Sequence, residues 1–128
     1  MTSYMEMMAI AGSGMNAQAA RLRISAENIA NVDTPGYQRK QIPFRAYVED
    51  GVTQVRTGRM YLDKSEGAAI YDPAHPLAGA DGTYEGSNVK TMLEIADARE
   101  AQRSYEANLR MFDQVRQMTD SLITLLRR

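Results

Sequence analysis

Along the first 29 residues, Met1, Met5, Met8, Gly12, Met15, Ala19, Leu22, Ala26 and Ile29 recur at alternating steps of four and three. This is the heptad spacing of a coiled-coil seam, and it predicts one long amphipathic helix of roughly 40 Å at about 1.5 Å per residue. Small residues at Gly12, Ala19 and Ala26 would let a partner helix come close between the larger side chains. Pro35 and Gly36 end the pattern, which sets a first segment at residues 1–36. A second helical pattern begins after Ser87-Asn88, either of which can cap the first backbone N–H groups, and no Gly or Pro interrupts it before the terminus. Its seam reads Ala98, Ala101, Tyr105, Leu109 or Asn108, Phe112, Val115, Met118 or Thr119, Leu122, and Leu125 or Leu126, within a segment at residues 87–128.

Between them, residues 37–86 hold most of the glycines and all the prolines but Pro35. Short alternations such as Val52-Thr53-Gln54-Val55 and Arg59-Met60-Tyr61-Leu62 read as loops and short strands. The expected fold is mainly α: long N- and C-terminal helices pairing as a coiled-coil-like hairpin, one axial domain formed by both termini, with a short loop- and β-rich central segment. Each seam must be buried, and a single helix pair covers only part of both. Neighbouring subunits could supply the cover, and the flexible methionines of the first seam suit non-identical partners. A closed hairpin packed on the central segment is the alternative, and periodicity alone does not choose between them. The residues predicted to meet other subunits are Met8, Met15, Leu22, Ile29, Tyr105, Leu109, Phe112, Val115 and Leu122.

Composition narrows the chemistry. The chain has 128 residues, no cysteine, and 15 basic against 16 acidic side chains. Its net charge of −1 offers no excess positive field for nucleic acid or an anionic membrane. No apolar run approaches the roughly 20 residues that span a bilayer. Met7 to Ala11 lack the preceding basic residues of a signal peptide, so no cleaved signal is expected. His75 is the one histidine and has no second His or Cys to complete a metal site, nor a serine in a nucleophile motif. Neither catalysis nor a cofactor, metal or small-molecule substrate is therefore expected; packing or a local hydrogen bond is the reading for His75. Tyr37, Tyr71, Tyr84 and Tyr105 are not interleaved with basic residues and read as packing groups. Arg99, Arg103, Arg110 and Arg116, spaced among Glu100, Glu106 and Asp113, read as a solvated face, with pairing across subunits as the rarer alternative.

Three blocks carry a resemblance. Asn28-Ile29-Ala30-Asn31-Val32-Asp33-Thr34-Pro35-Gly36-Tyr37 resembles the signature of flagellar rod and hook axial proteins. Physically it is a helix exit in which Pro35 fixes φ, Gly36 permits a positive φ, Tyr37 can pack the chain back on the helix, and the asparagines can bond helix-end backbone. Tyr71-Asp72-Pro73-Ala74-His75-Pro76, followed by Ser87-Asn88-Val89, is similar to the segment that marks the FlgC type of proximal-rod protein, with Ser87 where that family usually has Pro. Arg103-Ser104-Tyr105-Glu106-Ala107-Asn108 is similar to the family's motif on the C-terminal helix. Residues 41–70 show no resemblance.

The resemblance implies a structural subunit of the rod in the periplasm, exported by the flagellar type III apparatus, that transmits torque and lines the export channel. It implies as partners copies of itself, other rod proteins of the FlgB, FlgF, FlgG and FliE types, and the MS-ring and export apparatus. The rival readings are a paralogous proximal-rod protein, a peptidoglycan-cleaving enzyme for which no acid/base pair stands in a recognisable context, and a soluble coiled-coil adaptor that leaves the two middle motifs unexplained.

Overall fold

The structure is a computed structural model, and it describes residues 3–128; Met1, the first position of the expected seam, lies outside them. Two helices, α1 (Tyr4–Ala30) and α2 (Thr91–Leu126), account for about half of the chain and flank a central segment of six short strands. These are β1 (Lys40–Gln41), β2 (Phe44–Glu49), β3 (Val52–Thr57), β4 (Tyr61–Leu62), β5 (Ala69–Tyr71) and β6 (Thr83–Glu85). They pair antiparallel as three two-stranded sheets, β1 with β4, β2 with β3 and β5 with β6. The residues left without any resemblance thus carry a complete hairpin, turned at Asp50 and Gly51, which both have positive φ.

Helix α1 begins later than the apolar pattern suggests. Ser3 is its N-cap, and its hydroxyl accepts from the Glu6 N–H while Glu6 returns a bond to the Ser3 N–H, a complete capping box. The far end stops at Ala30, with Asn31 as C-cap and its amide donating to Glu27 O at 2.9 Å. The helix ends well short of Pro35 because Asn31 and Thr34 already turn the chain with their own hydrogen bonds.

The two helices run antiparallel: Arg21 of α1 meets Asp97 and Glu100 of α2, Gly14 lies against Asn108, and Tyr4 shares a cleft with Met118 and Leu122. The face α1 turns to α2 is not the expected apolar stripe. It is Ala11, Gly14, Gln18, Arg21, Ser25 and Asn28, the same 4-3 spacing shifted back by one residue, about 100° around the helix. Close approach is required at one point of this face, where a Cβ at Gly14 would lie 2.8 Å from the Asn108 side chain, and the Arg21 ion pairs fix another. A second arc, including Ile10, Ser13 and Ala17, faces the β2–β3 hairpin, where the Val55 N–H donates to Ser13 Oγ at 3.2 Å. Met8, Met15, Leu22 and Ile29 lie on a third flank and are half-buried.

On α2 the buried positions are Glu94, Ala101 and Val115. Tyr105 and Phe112 are half-buried, Asn108 rather than Leu109 faces α1, and Leu109 and Leu122 are exposed. The stripe of small residues leads to one expected outcome. Gly14→Leu should force the helices apart and lower stability by about 1–3 kcal/mol in a denaturant titration, as overpacked sites do, whereas Ala26→Leu on an exposed position should change it little.

Candidate functional site

The long-range polar contacts of the chain converge where α1 ends, the central segment starts and α2 begins. Asn28 is 1% exposed, and its side chain acts as a strand partner for Lys40: its Nδ2 donates to Lys40 O at 2.9 Å and its Oδ1 accepts the Lys40 N–H at 2.9 Å. The Tyr37 hydroxyl donates to the same Oδ1 at 2.9 Å, folding the exit loop back onto the helix. Gly36 takes a positive φ of 71°, and its N–H donates to Glu85 O. Burial raises the Tyr37 pKa above its ordinary value, with Lys40 opposing and Glu27 and Glu94 adding to the rise.

The pair Ser87 and Asn88 does not behave as a helix cap. The N-cap of α2 is Lys90, without a side-chain hydrogen bond, because Ser87 and Asn88 are engaged elsewhere. The Ser87 hydroxyl donates to Val32 O, a bond the proline usual at that position could not make. Asn88 Oδ1 accepts the Arg39 N–H at 2.6 Å, while its Nδ2 donates to Asp63 O at 2.8 Å and Ser65 O at 3.1 Å. Residues 39 and 40 are therefore gripped from two sides, by Asn88 from the start of α2 and by Asn28 from the end of α1.

An ion-pair chain lies alongside. The Arg39 Nε donates to Glu94, which is 1% exposed, and its Nη2 meets Asp97 at 2.9 Å; Arg21 meets Asp97 at 3.3 Å and Glu100 at 3.2 Å; Lys40 pairs with Glu27. Burial works against the Arg39 charge, yet the hydrogen bond to Glu94 and the negative charges of Glu94, Asp97 and Asp63 outweigh it and raise its pKa. Hydrogen bonds from Ser65 hold the Asp63 carboxyl below its ordinary range. A polar cleft of about 190 Å³ opens between Arg21, Asn28, Arg39 and Tyr61.

The remaining motif residues form a separate rigid turn. Tyr71 ends β5, Asp72 O accepts the His75 N–H, and the His75 Nδ1 accepts the Leu77 N–H at 3.1 Å. The His75 ring stacks on Tyr84 with centroids 4.0 Å apart, and Gly82, at φ 77°, leaves room for Tyr71 and Pro73. Pro76 is exposed beside them, while Val89 is buried at the base of α2. Arg103 and Ala107 are exposed on α2, and the Asn108 amide donates to Ser104 O. Arg21, Arg39, Glu94 and Asp97 went unread in the sequence; Glu94 and Asp97, three apart on one helix face, were the available signal, but their partners lie 55 to 76 positions away.

Two antiparallel helices are thus joined through a bonded exit turn whose motif residues pack and hydrogen-bond within the fold. Comparison with known families agrees: residues 8–38 match the flagella basal body rod protein family, and residues 80–125 match the C-terminal family of the flagellar basal body rod FlgEFG proteins. The flagellar basal-body rod protein FlgC of Agrobacterium fabrum is 42% identical over 92% of this chain and 91% of its own. Those of Escherichia coli and Borreliella burgdorferi are 32% and 31% identical, each over 91% of this chain and 92% and 93% of their own. The chain belongs to the FlgC family of flagellar basal-body rod proteins and is a structural subunit of the rod.

The joint yields two expected outcomes. Arg39→Met should leave Glu94 buried without its cation and cost about 3–5 kcal/mol, against a much smaller loss for Arg99→Met, measured by denaturant unfolding. Asp63 has a depressed pKa, so its contribution is complete above the ordinary carboxylate range and is lost as pH falls through the lower folded value. Amide exchange at Ser65, whose N–H bonds the Asp63 carboxylate, should therefore accelerate in acid relative to the β2–β3 hairpin.

Proposed function

We propose that the chain polymerises through the flanks of α1 and α2 that its own fold covers only in part. The observation that carries this reading is the displacement of the internal helix contact onto small and polar residues, which leaves Met8, Met15, Leu22 and Ile29 half-buried and Leu109, Leu122, Leu125 and Leu126 exposed. Tyr105 and Phe112, half-buried, complete the α2 side, whereas Val115 is buried within the subunit and belongs to its own core. In this reading coiled-coil-like seams form between subunits, and residues 1–36 and 87–128 act as one axial domain carrying the central segment outward. Dispersed knobs-into-holes contacts resist shear, which suits torque transmission around an export channel.

The partners in this reading are copies of the chain and other rod proteins of the FlgB, FlgF, FlgG and FliE types, with the MS-ring and export apparatus at the base. The rod lies in the periplasm, and export through the flagellar type III apparatus delivers the subunit there. No described helix is long and apolar enough to cross a membrane. The family is structural, and the geometry around His75 serves a turn.

Replacing Leu22, Ile29 or Leu122 by Asp should abolish rods and swimming in cells whose own copy is deleted, while His75→Ala should restore both. Leu122 is 45% exposed, so its substitution tests assembly without unfolding the subunit. Intact basal bodies in the Leu122→Asp and Ile29→Asp strains would refute the seam mechanism.

A further inference from the structure

Two surfaces of the central segment carry opposite charge and find no ionic partner among the described residues. On the β2–β3 hairpin, Arg45 and Arg56 stand directly opposite one another in the ladder and both are exposed, with the acids of the hairpin, Glu49 and Asp50, at its turn end. Like charges facing across a strand pair destabilise it. Neither takes part in an ion pair among the described residues: Arg56 lies 4.9 Å over the Tyr47 ring, and Arg45 runs beside Gly58. Arg59, also exposed, sits just past β3.

The complementary surface is the unit around β5 and β6. Residues 65–89 contain Glu66, Asp72, Asp81 and Glu85 and no Lys or Arg, and all four carboxylates are exposed. Three of them accept hydrogen bonds from turn groups, Asp72 from the Ala74 N–H, Asp81 from Thr83 and Glu85 from the Gly67 N–H, and none meets a cation among the described residues. Tyr71 and Leu77 on the same unit are 74% and 63% exposed, an apolar centre for an acidic rim.

We propose that the Arg45–Arg56 face of one copy receives the acidic β5–β6 unit of the next copy in a head-to-tail contact outside the helices. A heterologous contact that does not close builds a filament, and the same chain carries both halves. Its net charge of −1 gives no general attraction to polyanions, so the acidic unit of a second copy is the occupant that the charge pattern fits. The contact rests on the reading that the chain assembles with copies of itself, and it is separate from the helix seams.

The test is a charge exchange on the full chain, read by sedimentation velocity and light scattering at low and high salt, with circular dichroism to verify folding. Wild-type association should weaken with salt. Arg45→Glu/Arg56→Glu and Glu66→Lys/Glu85→Lys should each associate about tenfold more weakly alone. An equimolar mixture of the two should regain the wild-type level, because every contact between unlike variants is again complementary. Failure of the mixture to recover with both variants folded, association indifferent to the exchanges, or a wild-type chain monomeric at low salt overturns the contact. So does Arg45- and Arg56-dependent binding to anionic lipid vesicles with self-association unchanged. Loss of assembly in Leu122→Asp alone, with the charge exchanges silent, overturns this contact and leaves the seam reading standing; the reverse pattern does the opposite.

Discussion

A single helix has a limited circumference, and the way α1 divides its own sets the rest of the architecture. One arc of small and polar side chains lies close against α2, close enough that a Cβ at Gly14 would collide with Asn108. A second arc lies under the β2–β3 hairpin, with Ser13 bonded to the Val55 amide. What remains is the stripe richest in Met, Leu and Ile, and the described elements of the chain leave its larger side chains only half-buried. Burial of apolar area is the main favourable term in association as in folding. A fold that places alanines and a glycine internally and keeps its larger apolar groups on the flank leaves apolar area that the proposed assembly would bury.

The central segment is also tied to both helices, and residues 39 and 40 are the point of attachment. Asn28 holds both backbone groups of Lys40, Asn88 holds the Arg39 amide, and the Arg39 guanidinium reaches the buried Glu94 on α2. Ser87 adds a bond to Val32 at the exit of α1. Glu94 Oε2 finds no partner among the described residues, but the other bonds of this network tie both helices and the strand segment to one another over a few residues. The signature motif is thus a joint between helix and strand segment as well as a helix stop.

Part of this was legible in the amino-acid order. The two helices, the break near Pro35 and the return of Tyr37 onto α1 arise from local patterns, because each depends on residues close in sequence. The turn around His75 was readable for the same reason. The face of α1 that meets α2 was not: apolar periodicity marks the stripe with most to bury, whereas the close approach at Gly14 and the Arg21 ion pairs set the observed contact, and the two lie about 100° apart. The capping box at Ser3 and Glu6 was present in the sequence but hidden by an apolar pattern that continues upstream of it to Met1. Asn88 read as a helix cap by spacing, yet long-range partners on Arg39, Asp63 and Ser65 claimed it. Arg39 and Glu94 could be joined only by the fold itself.

Because the chain has no cysteine, single thiols report cleanly on the partly covered flank. Met15→Cys and Leu122→Cys, each in an otherwise unaltered chain that still supports swimming, would be treated with a small maleimide as free subunit and within purified basal bodies, with Asp50→Cys at the exposed hairpin turn as the reference. The covered-flank mechanism requires rapid labelling of both thiols in the free chain and strong protection of both in the rod. Equal labelling of Met15→Cys and Leu122→Cys in the two states would contradict it.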